Sequence, residues 1–580
     1  MKTYAVDFET YYDNECSVRK LGNRGYFSHY DFEAYLVTVV SPDGFSFAGD
    51  PREFDWSMLT GNRVLSHNAS FDESLYLYGV EQNWWPACSP AEWHCTADLA
   101  AYAGLPRNLK GAAQEALGVE LSKDTRDKMK GKRWASMDPE FQQEVLAYAT
   151  KDAELCLQLW EKLSPEWPQA EREHSVLTRK ICRHGIPVDE GLIKTNAEKL
   201  RVALWEAEQS IPWRDTGALL SRKESNLACR AAGIQPPKSW AMGDPECEEW
   251  LDKYAEKFPW VYAVRNWRRM NSLLKKVEAF DAGTVDGRYY GGLMYWGAHT
   301  GRWSGSGGNL NLQNLPRGDM FGVNLREQIR CADDKRLVIV DLSQIEVRTL
   351  CWLAEDHETL AEIAASDDIY EAFAVRFELW SKDQGSLKAN DAALRHKVKG
   401  MVLGCGYGAS AKKYQLIMDV PQEEAEAAVS LYQQKMSKVR ALWRKYRRLT
   451  ETAKEGNDLS IDLPSGNKIT YRNICRNTEA VNCMVVKNGK NILVRPWYGM
   501  ITENVSQKLA RDIFAHQLKK LDDAGHKIIL HVHDEVVIEA PAADAERTLA
   551  DALKIMCTPP DWIPDIPLSA DGQISQYYTK

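Results

Sequence analysis

Along the first ~160 residues, short apolar runs alternate with longer stretches of helical periodicity, the pattern of an α/β unit. Tyr4–Glu9 reads as a strand that leaves its carboxylates at its end, and Arg63–His67 as a second strand. Between Gln142 and Leu163, apolar Val145, Leu146, Leu155 and Leu159 recur at helical spacing, so this segment is expected to be a helix. Pro165, Trp167 and Pro168 then interrupt the pattern and mark a boundary. From about residue 170 to 280 the chain is rich in Glu, Lys, Arg and Ala and is expected to be mostly helical. Strand-like runs return only at Leu337–Leu342 and Ile528–Ile538, with a largely helical block between them. There is no internal repeat, and no G-x-x-x-x-G-K-[ST] phosphate loop to suggest an ATP-driven motor.

A chain of 580 residues suits two to four domains rather than one core. Its 44% hydrophobic and 27% charged residues place it among soluble globular proteins. No signal peptide follows Met1 and no apolar run reaches the ~18 residues that span a bilayer, so no membrane association is expected. Thirteen cysteines without a C-x-x-C pair read as reduced thiols of a cytoplasmic protein. The net charge of −9 argues on average against a polyanionic partner. Two local stretches reverse that. Lys435–Arg448 carries seven basic residues and no acid, and Arg265–Lys276 carries five and no acid. An acidic chain with such stretches fits an enzyme that grips nucleic acid and gathers carboxylates at metal sites.

The acids themselves fall into two groups. Asp7 and Glu9 are two apart on a strand and share a face. Asp72 follows in Asn68-Ala-Ser-Phe71-Asp72, and Tyr148 and Asp152 are four apart, on one side of the expected helix. Four clustered acids repel one another unless divalent cations lie among them. Two such ions are the usual means of activating water for phosphodiester hydrolysis, and Mg²⁺ prefers hard oxygen ligands. The ordered set D-x-E, N-x-x-F-D, Y-x-x-x-D resembles the DEDD exonuclease family in its tyrosine-bearing branch. The resemblance covers about residues 1–160. It implies that Asp7, Glu9, Asp72 and Asp152 hold two Mg²⁺ ions, that Tyr148 orients the attacking water, and that the substrate is a single-stranded DNA 3′ end.

In the C-terminal half, Asp341 ends a buried strand, and Ile528–Glu539 reads as two strands around a tight turn exposing Asp534-Glu535. Bare charge at such a tip is costly, and a metal shared by Asp341 and Asp534 offsets the repulsion. Between them, Arg395, Lys399, Leu403 and Tyr407 recur every four residues, a single helical stripe ~18 Å long. Two cations followed by an apolar and an aromatic residue suit a nucleoside triphosphate. The segments Asp341-Leu-Ser-Gln344-Ile-Glu346-Val-Arg348, Arg395-(x)₃-Lys399-(x)₇-Tyr407-Gly408 and His533-Asp534-Glu535 resemble motifs A, B and C of the family A DNA polymerases. Thr300–Ser304 with Asn311–Pro316 is similar to the segment that tracks the primer–template. Glu503–Asp512 is similar to the helix that reaches the minor groove.

The combined resemblance implies a ribonuclease H-like α/β exonuclease domain at 1–165, followed by an α+β right hand. Its helical thumb would occupy 166–290, and its palm and fingers 291–580. Asp341 and Asp534 would bind two Mg²⁺ ions, for which Mn²⁺ can substitute. Arg395 and Lys399 would hold the phosphates of a dNTP, with Lys399 able to protonate the leaving pyrophosphate. Gln344, Leu403 and Tyr407 would lie beside the nucleotide, and Glu346 would exclude a ribose 2′-OH. Arg302, Gln313, Asn314, Gln507 and His533 would contact the primer–template. The compact plan resembles phage or prophage replicative polymerases, which work in the host cytoplasm. No motif identifies accessory replication proteins. Leu342 and Leu403 depart from the usual aromatic residues. A single-subunit RNA polymerase could share the palm, but the Glu346 gate and the exonuclease motifs argue against it.

Overall fold

The computed structural model describes residues 1–120, 124–240, 244–306, 310–476, 481–487 and 490–579. Strands β1 (Thr3–Thr10), β2 (Ala34–Val40), β3 (Ser46–Gly49), β4 (Arg63–Ser66) and β5 (Glu92–Cys95) form a mixed sheet of order β3-β2-β1-β4-β5. Alternate residues of β1, Tyr4, Val6 and Phe8, enter an aromatic core with Trp56, Tyr76 and Trp85. Asp7 and Glu9 fall in the last four residues of this strand, toward its end as the sequence suggested, and β4 does not cover them. The reason is unequal pairing. β1 is matched to antiparallel β2 along most of its length, but to parallel β4 only from Thr3 to Ala5. The acids therefore stand beyond the reach of β4. The expected helix spans Pro139–Leu163, with Asp138 capping the Phe141 N–H and proline at its first turn. It packs on β1 to β4 through a face that includes Val145, Ala149, Ala153 and Cys156.

The helix Gln169–His184 contacts β5 on one side and the long helix Tyr498–Asp523 on another. Ala5, Leu65, Leu99 and Trp160 share one buried cluster with Trp167, Val338 and Val340. The core is thus continuous across the proline-rich boundary. Helices Glu190–Gln209 and Pro259–Ala282 pair lengthwise over Ile193, Leu200, Leu273 and Val277. Short strands β6 (Ile186–Pro187), β7 (Thr284–Val285) and β8 (Arg288–Tyr289) tie their bases together, and β9 (Gly292–Met294) pairs with β10 (Ser304–Ser306).

Next comes β11 (Lys335–Leu342), whose Leu337–Val340 are all buried. The block after it is not simply helical. Helices run from Ile345 to Thr452, but β12 (Leu459–Asp462), β13 (Lys468–Arg476), β14 (Val481–Lys487) and β15 (Lys490–Val494) then form a sheet in that order. On β13 only Ile469, Tyr471 and Ile474 are buried, with polar residues between them. A one-sided antiparallel sheet alternates in this way and gives no continuous apolar run. Finally β16 (Ile528–Val532), β17 (Glu535–Pro541) and β18 (Ala570–Ser575) join β11 in the order β16-β17-β11-β18. Helix Ala545–Cys557 covers β11 and β18. Among the described residues, no helix is long and apolar enough to cross a membrane.

Candidate active sites

The N-terminal acids converge from three elements. Asp7 and Glu9 come from β1, Asp72 from the helix Ala69–Glu81, and Tyr148 and Asp152 from the helix Pro139–Leu163. Asp72 is buried and accepts a hydrogen bond from the Phe8 N–H at 3.1 Å, which ties its helix to β1. All five side chains line one cleft of about 1350 Å³. Burial pushes the Asp7 carboxyl well above its ordinary range, and Glu9, Asp72 and Asp152 push it further. Glu9 is raised to about 8 by burial and by Asp152, and burial raises Asp72 to about 8. Asp152 reaches only about 6, because Tyr148 and the Arg126 charge oppose the effect of burial.

Among the described residues, no three acids, histidines or cysteines are already drawn into metal-ligating geometry. The donor set nevertheless fits divalent cations. These are hard oxygens whose ionised forms burial disfavours first, with repulsion from neighbouring acids adding to it at Asp7 and Glu9, and a bound Mg²⁺ would offset both. Arg126, on the short helix Asp124–Met129, also lines the cleft and lowers Asp7, Glu9 and Asp152. Sequence reasoning missed it, because it is one of six basic residues from Lys123 to Arg133 and belongs to no recognisable spacing. Trp296, His299 and residues of β13 and β14 such as Lys468 and Met484 line the same cleft.

In the second site, Asp341 lies opposite Glu535 in the β11–β17 register. Asp534 sits in the β16–β17 turn, where His533 adopts a left-handed φ of 56°. The Leu342 N–H donates to the Asp534 carbonyl at 3.1 Å and fixes the turn against β11. Burial first, then the Asp341 charge, raises the Asp534 carboxyl to about 7. Glu535 does not share the exposed tip that the sequence suggested. It is buried and accepts a hydrogen bond from the Tyr578 hydroxyl at 2.5 Å, since successive strand residues face opposite ways.

Three motifs meet at Glu346. One of its carboxylate oxygens pairs with Arg302, and the other accepts from the Tyr407 hydroxyl at 3.1 Å. Arg302 also acts electrostatically on Asp534, and His533 is lowered first by burial and then by Arg302. Gln344, at φ 51°, accepts from the Tyr370 hydroxyl at 2.8 Å. Arg395 is held by Asp368, and Lys399 is exposed.

The predicted stripe is not one regular helix. Ala392–Gly400 is α-helical, Met401–Cys405 is a π segment, and Tyr407 stands in the turn beyond. The four-residue repeat therefore fails before Tyr407. The glycines explain the close packing here. A Cβ at Gly400 would meet the Met418 sulfur at 2.2 Å, and one at Gly408, with φ 74°, would meet Tyr498 at 2.8 Å. Leu403 is 41% exposed on the π segment and fills no core position.

Gln313, in the turn Leu312–Asn314, is buried, and this turn rests against β10 and β16. Gln507 donates to Glu503 at 3.3 Å on the helix Tyr498–Asp523. Asp512, at the end of the same motif, is a buried ion-pair partner of Lys508 (2.8 Å) and Arg511 (3.1 Å) and faces no groove. Of the two basic stretches, Lys438, Arg440, Arg444, Lys445, Arg447 and Arg448 stand exposed on the helix Ser437–Thr452. The other is partly committed internally: Arg265 pairs with Glu248, and Arg268 and Arg269 lie over Trp240 and Phe321.

Comparison with known proteins places the chain in a family. The model of DNA polymerase family A matches residues 227–580. A DNA polymerase of Bacillus phage SP02 is 26% identical over the full length of both chains. The thermostable DNA polymerase I of Thermus thermophilus is 30% identical over 44% of this chain and 28% of its own length. In fold, 99% of the chain superposes on 95% of the polymerase domain of Pol1 from M. smegmatis, solved with primer–template and dNTP. The TM-score is 0.70 at 19% identity. The architecture is thus the palm, fingers and thumb of that enzyme. The chain belongs to DNA polymerase family A, and its activity is template-directed DNA synthesis.

Proposed function

We propose that the chain extends a primer from dNTPs on a DNA template, and that a ribonuclease H-like domain within residues 1–165 removes mispaired 3′ ends. In this reading the thumb lies within 166–290 and the palm and fingers within 291–580. Likeness to the SP02 enzyme supports a replicative role in a phage or prophage. Asp341 and Asp534 hold the cations of nucleotidyl transfer, and Asp7, Glu9, Asp72 and Asp152 hold those of hydrolysis. When bound, Mg²⁺ or Mn²⁺ supplies a Lewis acid and neutralises developing negative charge. Arg395 and Lys399 bind the dNTP phosphates, and Lys399 gives a proton to the leaving pyrophosphate. Gln344, Leu403 and Tyr407 border the nucleotide, and Arg302, Gln313, Asn314, Gln507 and His533 border the primer–template. Tyr148, beside Asp152, orients the attacking water.

The observation that carries the proofreading reading is the convergence of four acids from three elements on a cleft that residues of the polymerase half also line. A frayed 3′ strand leaving the palm fits such a passage. The test is a 5′-labelled primer with a mismatched 3′ end, incubated without dNTP. Stepwise shortening from the 3′ end is expected with Mg²⁺ and not with EDTA, and added dNTP should convert shortening into extension. A product that never shortens, or is cut internally, would rule the proofreading reading out.

Glu346 gives a sharper test of sugar selection. Glu346→Ala should raise the rNTP/dNTP ratio of kcat/KM about 10- to 100-fold, since the block is lost. It also releases Arg302 and Tyr407, so Glu346→Gln is the control. Glutamine keeps the bulk and an acceptor for the Tyr407 hydroxyl and loses only the charge pair. The ratio should stay near wild type in Glu346→Gln. Equal shifts in both variants would mean that freeing Arg302, not removing bulk, relaxes selection.

A further inference from the structure

Arg395 and Lys399 are in different states. Lys399 is exposed and makes no ion pair among the described residues. Arg395 is gripped by Asp368 in a two-point contact: Nε reaches Oδ2 at 2.5 Å and Nη2 reaches Oδ1 at 3.2 Å. Its guanidinium lies 5.0 Å from the centre of the Tyr370 ring, and the Lys399 ammonium lies 5.9 Å from the same ring. The Tyr370 hydroxyl is held by Gln344. One aromatic platform, fixed to motif A, therefore supports both cations, while only one of them is tied to an acid. Asp368 is itself anchored. It caps the helix Ile369–Arg376, its Oδ1 accepting from the Tyr370 N–H at 3.0 Å, and only 15% of its side chain is exposed.

A carboxylate bound along the Nε–Nη2 edge of a guanidinium occupies the positions that two phosphate oxygens would take on that edge, because the arginine fork matches either anion. Asp368 and a triphosphate cannot hold these donors at the same time. We propose that Asp368 is a competitive clamp on Arg395, an affinity-tuning residue that holds the guanidinium in the nucleotide-free enzyme and yields it to the incoming triphosphate. The proposal rests on the reading of Arg395 as a phosphate-binding residue. It follows that the measured dNTP affinity is the intrinsic affinity reduced by the fraction of enzyme with Arg395 released. Recapture of Arg395 by Asp368 also weakens the hold on pyrophosphate after transfer. The clamp acts on the phosphates alone, which all four dNTPs share, so it sets affinity without choosing among bases.

Asp368→Asn separates the clamp from the cap, because asparagine caps a helix as well as aspartate does. Thermal stability should therefore be retained. KM for a matched dNTP should fall about three- to tenfold, the range for a partly exposed charged pair released before binding. The inhibition constant of pyrophosphate should fall in parallel, while the ratio of correct to incorrect incorporation stays unchanged. In an Arg395→Ala background, Asp368→Asn should leave KM where Arg395→Ala alone puts it. A KM that rises in Asp368→Asn would show that Asp368 positions Arg395 for the phosphates, which overturns the proposal, as would an unchanged KM. An equal fall of KM in both backgrounds would also overturn it, since the effect would then be a general loss of negative field. If Arg395→Ala leaves kcat/KM at the wild-type value, the underlying reading of Arg395 fails instead.

Discussion

Asp534→Asn is expected to lower single-nucleotide incorporation on the order of a thousandfold while leaving primer–template binding and 3′→5′ degradation in place. The substitution keeps the shape of the β16–β17 turn, because the contact that fixes it to β11 is a main-chain bond from Leu342 to the Asp534 carbonyl. Only the side-chain charge is lost, and with it the partner of Asp341 in holding a cation where negative charge develops. A structural role makes the opposite prediction for stability. Burial and the Asp341 charge raise the Asp534 carboxyl to about 7, so the folded state disfavours its ionised form. Neutral asparagine relieves that repulsion, and the metal-free variant should melt at the wild-type temperature or above it. Rapid-quench incorporation, a gel-shift titration and a melting curve together decide the matter. Near-normal incorporation would take Asp534 out of the metal site. Lost incorporation with a collapsed melting temperature would make it structural.

The residues that were legible in the sequence are those whose chemistry is local. Asp341 follows a run of buried aliphatics, and the Asp534 turn is bracketed by two more, so strand, turn and acid could be read together. The helix carrying Tyr148 and Asp152 showed its period and its stop. What stayed hidden depends on contacts distant along the chain. The β12–β15 sheet alternates polar and apolar residues on an open face and reads in the sequence as part of a largely helical block. Glu535 looked like a partner of Asp534 until the strand direction sent it toward Tyr578. The π segment at Met401–Cys405 breaks a repeat that letters alone present as regular. Asp368 and Arg126 belong to no motif and gain meaning only from the cations or carboxylates that folding sets beside them.

Asp7→Ala combined with Glu9→Ala should abolish 3′→5′ shortening, a loss on the order of a thousandfold or more, and leave the extension rate within a small factor of wild type. Separability is not trivial in this chain, because its buried core runs without a break from Ala5 and Leu65 to Val338 and Val340. The two acids nevertheless stand beyond that core, on the face of β1 that they share with Ala5. They line the cleft, whereas the β1 residues that pack inside are Tyr4, Ala5, Val6 and Phe8. Truncating Asp7 and Glu9 removes groups that burial and mutual repulsion already disfavour as charges, so the β1–β4 contacts should hold and the metal-free fold should lose little stability. With shortening gone, mispaired primer ends should be extended or stalled rather than trimmed, and the substitution frequency in copied DNA should rise. Extension and degradation measured on one mismatched primer, with melting temperature as the control, give the answer. If extension falls with degradation while the fold stays intact, the two sites work as one unit and the assignment of Asp7 and Glu9 to a separate hydrolytic centre is wrong.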